Sequence, residues 1–268
     1  GSKSKAQWES SLATYAFPLL GAMHVRDISQ AHVVRVLEPI WTTKTETASR
    51  LRGRIENVLD WAKVHGYREG DNPARWRGHL DKLLAAPSKV SKVEHHPAIA
   101  VDDAPAFYQQ LKLRDGLGAR ALQFAMLTAA RSGEVRGATW SEIDLDKAVW
   151  IVPAGRMKAG REHRVPLSAE AATLLRQLPR LEGTDLVFPA PRGQQLSDMS
   201  LSAVMRRMAL KEVPHGLRST FRDWAGERTN YPRDMAEMAL AHGIGNAAEA
   251  AYRRGDMAEK RRSMMDDC

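Results

Sequence analysis

The sequence predicts a mainly α-helical chain with one small antiparallel β-sheet, divided into a helical first domain and a mixed α+β second one. Three observations carry this. Helical periodicity dominates the first 85 residues, a polar stretch with prolines near both ends occupies residues 86–97, and two β-rich runs flank a polar turn between 148 and 167. At 268 residues the chain is long enough for two domains with separate cores. The boundaries read as 3–85 for the helical domain, 86–97 for a linker and 98–268 for the second domain.

Between residues 47 and 65, the apolar Ala48, Leu51, Ile55, Val58, Leu59 and Ala62 recur at three- and four-residue steps. Arg50, Arg52, Arg54, Glu56 and Lys63 mostly take other faces, which predicts an amphipathic helix with a basic outer side. Gly66 stops it as a C-cap, and Asn72-Pro73 opens the next element. A preceding helix is expected over 29–39, with Ser29 as cap and Val33, Val34 and Leu37 facing a core. Residues 86–97 have little apolar periodicity and several charges, the profile of a solvated tether that would let two domains close around a rod-shaped ligand. Beyond it, 117–130 reads as a buried helix, 148–152 and 164–167 as strands, and Lys158 falls on or near the hairpin tip between them. Further helices are expected at 169–178, 200–210, 217–228, 234–241 and 247–252.

Lys plus Arg outnumber Asp plus Glu by 40 to 32, a net charge of +8. Residues 1–97 hold 15 basic against 10 acidic side chains, so the smaller segment carries the denser excess and a polyanionic partner is expected. The single cysteine, Cys268, cannot form an internal disulfide, which points to a reducing cytoplasmic home. No apolar run approaches the roughly 20 residues a bilayer span needs, so no membrane partner is expected. Gly1-Ser2 looks like a cloning remnant.

The chemistry-bearing residues lie in the second half. In His215-Gly-Leu-Arg218 the imidazole and guanidinium occupy neighbouring positions of one helical turn and can point at one oxygen-rich centre. At a helix N-terminus, exposed amides add to the attraction for a phosphate. Arg131 follows an apolar helix and precedes a second helical segment capped by Ser132. Glu134 either supplies its acceptor internally or orients a fork that holds two phosphate oxygens. His242 and Tyr252 each read as ordinary structural residues alone; the joint order of the basic groups and a late tyrosine points to phosphodiester cleavage by a hydroxyl nucleophile. The histidines lack a His-Glu-x-x-His spacing or a carboxylate cluster, so neither a metal nor another cofactor is expected.

In this order the residues resemble the tyrosine site-specific recombinases, and within them the prophage and genomic-island integrases. The resemblance rests on Arg131 in Ala-Arg-Ser-Gly-Glu, Lys158 before Val-Pro-Leu, His215-x-x-Arg218, His242 in Leu-x-His-Gly and Tyr252 in Ala-Tyr-Arg-Arg. It extends over nearly the whole chain, since residues 50–73 with Asp60-Trp61-Ala62 and Asn72-Pro73 look like the helical core-binding domain of that family. It implies DNA cleavage and rejoining through a 3′-phosphotyrosine with a free 5′-hydroxyl, without ATP. Tyr252 would be the nucleophile, His215 its proton acceptor, Arg131, Arg218 and His242 the stabilisers of phosphorane charge, and Lys158 the general acid, with Arg156 and Arg161 flanking it. The partners implied are double-stranded attachment-site DNA, a homotetramer on DNA from a chain monomeric without it, and accessory excision or architectural proteins, in the bacterial cytoplasm at the nucleoid. A type IB topoisomerase and a catalytically silent DNA-binding relative are the alternatives. Family members usually carry an arm-binding domain before the region seen here and a tail after the tyrosine that docks on a neighbouring subunit, which predicts that this chain is a trimmed fragment. Residues 255–268, with Lys260, Arg261 and Arg262, form either subunit contacts or a solvated helix face.

Overall fold

The computed structural model describes residues 2–91, 96–242 and 255–268. The chain divides into two compact units, Gly1–Glu94 and His95–Cys268.

The first unit is helical. Helix α1 (Ser2–Ser11) continues through a π-helical turn (Leu12–Ala16) into α2 (Phe17–Leu20), followed by α3 (Gln30–Trp41) and the long α4 (Thr45–Val64). The core joins Val33, Leu37 and Trp41 of α3 to Ala48, Leu51, Ile55 and Leu59 of α4, as the periodicity requires. Helix α3 starts after Ser29 and runs two residues past Pro39, beyond the expected end. Gly66 takes a left-handed conformation (φ 74°) after α4, and the Tyr67 N–H returns to the Ala62 carbonyl at 2.9 Å, closing the helix as expected. Asn72 is a buried tie: its side-chain N–H groups reach the Glu56 carbonyl at 2.8 Å and Asp60 at 2.7 Å, and its oxygen accepts from the Ala74 amide at 2.9 Å.

The basic outer side of α4 needs correction. Arg52 donates to Glu56 at 2.5 Å and to the Ala74 carbonyl at 2.8 Å, and Arg54 donates to the Gln7 carbonyl at 2.8 Å and to Ser11. Both arginines therefore bond acceptors of their own unit, and of the three only Arg50 is exposed. The stretch 86–97 is likewise packed at its ends. Helix α5 (Pro87–Val90) lies against α4 with Val90 on the first core, and in the second unit the Pro97 carbonyl accepts from the Val213 amide at 3.2 Å.

The second unit centres on α7 (Leu117–Thr128), whose Leu122, Phe124 and Ala125 are buried against Trp150, Val165, Phe188 and Met205. Strands β1 (Ile143–Asp144), β2 (Val149–Val152) and β3 (His163–Pro166) form an antiparallel sheet in the order β1-β2-β3, with Trp150 opposite Val165 and Val152 opposite His163. Around it run α6 (Ala104–Lys112), α8 (Ser132–Arg136), α9 (Ala169–Arg176), α10 (Ser200–Arg207), α11 (Gly216–Glu227) and α12 (Arg233–Ala239). The helix expected at 247–252 lies outside the described residues. Helix α13 (Ala258–Asp267) packs on β3 and α12. A solvated helix face does not describe it: Arg261 is 1% exposed and bonded to the Asp256 carbonyl at 2.8 Å, while Arg262 donates to the Ala148 and Lys147 carbonyls.

One carboxylate ties the sheet to α8. Glu142 accepts from the fully buried Trp150 indole at 3.0 Å and from Arg156, whose guanidinium also donates to the Glu134 carbonyl. Glu142→Ala strands a buried indole N–H and a guanidinium, and is expected to destabilise the second unit by about 3 kcal/mol or more. Chemical denaturation checks this; an unchanged midpoint would show that the tie contributes nothing.

Candidate active site

Three chain segments meet at one place. The first is the end of α7, where Ala129 is left-handed (φ 50°) and turns the chain into Arg131. Arg131, not Ser132, holds the N-cap position of α8. The Glu134 carboxylate takes the capping role, accepting from the Arg131 amide at 2.9 Å and from its guanidinium at 2.8 Å. Glu134 is thus the internal acceptor anticipated for Arg131.

The second segment is the start of α11. Gly216 is required there, because a Cβ would lie 2.1 Å from the Pro97 carbonyl oxygen. That close approach brings His96 edge-on to His215, with ring centroids 5.0 Å apart. Arg218, one turn into the helix, is 5% exposed. It donates to the Ala129 carbonyl, to the Leu240 carbonyl at 2.5 Å and to His242 Nε2 at 3.1 Å.

The third segment is the end of α12. Ala241 is also left-handed (φ 48°), and its carbonyl accepts from Arg131 at 3.4 Å. His242 follows, its Nδ1 2.7 Å from Glu237, whose other oxygen accepts from Arg222 Nε at 2.6 Å. Arg131, His215, Arg218 and His242 therefore converge. Lys158 is exposed in the connection between β2 and β3, and among the described residues no hydrogen bond or ion pair joins it to the cluster. Arg156 is committed to Glu142 and Glu134, which removes it as a stand-in for Lys158. Tyr252 lies outside the described residues.

The electrostatics favour an anion. Burial, then the Arg131 charge, push the Arg218 guanidinium down to about 10, opposed by Glu134 and Glu237. His215 is lowered by burial first and then by Arg218, His96, Arg131 and His242, so it is neutral at pH 7 and can accept a proton. Among the described residues the Glu134 carboxylate bonds Arg131, and the charges of Glu134 and Glu237 partly offset Arg218, an arrangement suited to phosphate oxygens. Among the described residues no group of three or more His, Cys, Asp or Glu is placed to hold a metal ion. A cavity of about 760 Å³ lies along α6 and behind α11, lined by Tyr108, Phe221 and Trp224 among others, and none of the five described candidate residues lines it.

Residues 1–79 match the phage integrase central domain, and residues 99–259 match the phage integrase family proper. The chain belongs to the phage integrase family. It is 31% identical to prophage integrase IntA of Escherichia coli K12 over 95% of this chain and 62% of that protein. To the integrase of Enterobacteria phage P4 it is 29% identical, over 95% of this chain and 61% of the relative. The chain thus spans less than two thirds of the length of these family members. The fold is similar to that of lambda integrase (75–356), solved as a dimer bound to a COC′ core site, with a TM-score of 0.70 at 17% identity over 91% of this chain and 89% of that one.

Two residues at the site escaped the sequence reading. Glu237 sits five positions before His242, a separation that becomes a contact only through the left-handed turn at Ala241. His163 on β3 is held near 4 by burial first, then by the Arg261 charge, against the opposing effects of Glu134 and a bond to the Ala239 backbone. A histidine ordinarily titrates near 6.5, so the folded unit binds fewer protons than the unfolded chain below that pH. Stability is therefore expected to fall by about 3 kcal/mol between pH 6.5 and pH 4 on this residue's account. His163→Gln, which cannot titrate, should flatten that slope in pH-dependent denaturation, while His215, shifted the same way, contributes equally to both proteins. Parallel slopes would contradict the assignment.

Proposed function

We propose that this chain is the DNA-cutting part of a site-specific recombinase, which breaks and rejoins attachment-site DNA through a covalent 3′-phosphotyrosine and so integrates or excises a prophage or genomic island. The observation that carries this reading is the convergence of Arg131, His215, Arg218 and His242 in a chain of the phage integrase family.

The roles follow from the chemistry. The Tyr252 hydroxyl attacks the scissile phosphorus and its proton passes to His215, neutral because burial and its cationic neighbours disfavour the imidazolium. Charge grows on the non-bridging oxygens of the phosphorane. Arg131 and Arg218, fixed by carbonyls and Glu134, stabilise it without reorganising, and His242 adds a hydrogen bond. The bond to the 5′ oxygen breaks as Lys158 supplies its proton, since a free alkoxide is a poor leaving group. The exposed connection that carries Lys158 gives this side chain the reach to meet DNA that the committed Arg156 lacks. Rejoining runs the same steps in reverse: a 5′-hydroxyl attacks the phosphotyrosine, so the bond energy is conserved and no nucleotide cofactor is consumed.

In this reading residues 3–85 grip the core site, 98–268 catalyse, and 86–97 connect them. Exposed basic residues on the first unit, Arg50 and Lys63 among them, contribute phosphate contacts. Pairwise strand exchange calls for four copies on two duplexes, with accessory proteins biasing direction. No described helix is long and apolar enough to cross a membrane, and the site of action is the bacterial nucleoid.

The test is incubation with a nicked attachment-site duplex followed by denaturing gel and peptide mapping. A covalent adduct on Tyr252 is expected, abolished in Tyr252→Phe while duplex binding is retained. Lys158→Ala should be slow on ordinary DNA yet recover on a 5′-bridging phosphorothioate, whose sulfur leaves without a proton; Arg131→Ala should recover much less. An adduct that persists in Tyr252→Phe assigns the nucleophile elsewhere, and equal recovery of both variants removes Lys158 as the general acid, leaving Arg161 as the next residue to test.

A further inference from the structure

The end of α12 is built in an uncommon way. The His242 amide donates to the Glu237 carbonyl at 2.9 Å and the Ala241 amide to the Met238 carbonyl at 3.0 Å, around the left-handed Ala241. These two bonds define a Schellman stop, which places the residue after the left-handed position over the residue five before it. In such stops that pair is frequently a hydrophobic contact. Here it is a carboxylate and an imidazole, 2.7 Å apart, and the carboxylate is itself held by Arg222 at 2.6 Å. Glu237 is mostly buried and its carboxyl is held below the usual range: burial opposes this, and the bonds from His242 and Arg222 outweigh it. Glu237 is thus an anion that only accepts.

The consequence for the ring is definite. Nδ1 faces an acceptor, so Nδ1 carries the proton. Nε2 faces Arg218, which has only donors, at 3.1 Å. The imidazole is therefore oriented with Nε2 toward the guanidinium that would bind phosphate and Nδ1 turned away from it.

We propose that Glu237, braced by Arg222, is a positioning residue that fixes the orientation and tautomer of His242 for strand cleavage. This rests on the reading of His242 given under the proposed function. Glu237 touches no reacting atom. It acts through the ring, as an outer-sphere carboxylate does for a functional histidine. Losing it frees the ring to rotate about its Cβ–Cγ bond, and removes the anion that offsets the second proton Nε2 must carry when it donates to a phosphate oxygen, so that the donor is presented in only a fraction of molecules. The substitution is expected to lower the cleavage rate and leave duplex affinity, set by many phosphate contacts, nearly unchanged.

A double-mutant cycle with Glu237→Gln and His242→Ala tests this on a nicked duplex carrying the core sequence from the junction between the mobile element and the chromosome. Glu237→Gln, nearly the same shape, should slow covalent adduct formation by about tenfold or more in the wild-type background. In the His242→Ala background the same change should cost less than about twofold, because the partner it acts through is gone. Imidazole ¹⁵N spectra of the uncomplexed protein provide a second readout: His242 should be the Nδ1-protonated tautomer in the wild type and a mixture in Glu237→Ala. An equal loss in both backgrounds, no loss in either, or an Nε2-protonated ring in the wild type overturns the proposal. A His242→Ala protein that cleaves at the wild-type rate instead refutes the assignment of His242 itself.

Discussion

The site depends on one buried cation. Arg218 is almost sealed from solvent, and its guanidinium bonds the Ala129 carbonyl, 89 residues away in sequence, and the Leu240 carbonyl, 22 residues away. A buried charge is costly unless it is paired and fully hydrogen-bonded. Here the partners are the buried carbonyls at two helix ends. Helices α7 and α12 both stop at a left-handed alanine, and such a stop leaves carbonyls without intrahelical partners. Those carbonyls carry the negative end of the helix dipole. Arg218 accepts this field from both helices at once, and Arg131 takes the Ala241 carbonyl of the second.

The left-handed alanines are a cost borne at the same place. A non-glycine residue in that conformation is strained by roughly 1–2 kcal/mol. Glycine would relieve the strain but add freedom to the unfolded chain and to the turn. Alanine keeps the two turns stiff, and Ala129 is also packed in the cluster formed by Phe221, Ala239 and Leu240, so the strained turn is held by its surroundings. The result is two guanidiniums positioned before any phosphate arrives, which is the condition for stabilising transition-state charge without reorganisation.

Much of this was legible in the sequence. The helix at 47–65 declared itself because its apolar residues repeat at helical spacing and a glycine ends it. The six candidate residues were named from motif order, and the structure brings four of them together. What was not legible depends on side-chain reach across the fold. Nothing local distinguishes Arg52 and Arg54, which reach carbonyls far away in sequence, from Arg50, which pairs only with Glu46 one turn before it among the described residues and stays exposed. Arg156 and Lys158 are two residues apart, yet one is tied to Glu142 and the other is exposed. Strand β1 is only two residues long and has no pattern of its own. Glu237 and His242 are five apart, a spacing that on a continuous helix places side chains on different faces. Only the turn at Ala241 makes them neighbours.

The most direct measurement uses Arg218→Lys. Lysine keeps the positive charge but presents a single ammonium, which cannot bond the Ala129 and Leu240 carbonyls and face His242 together in the planar geometry of a guanidinium. If the fork of Arg218 both assembles the three segments and stabilises the phosphorane, Arg218→Lys should bind a nicked attachment-site duplex with near wild-type affinity and form the covalent adduct about a hundredfold or more slowly. Adduct formation at the wild-type rate would show that a positive charge alone suffices there, and that the converging carbonyls are incidental to cleavage.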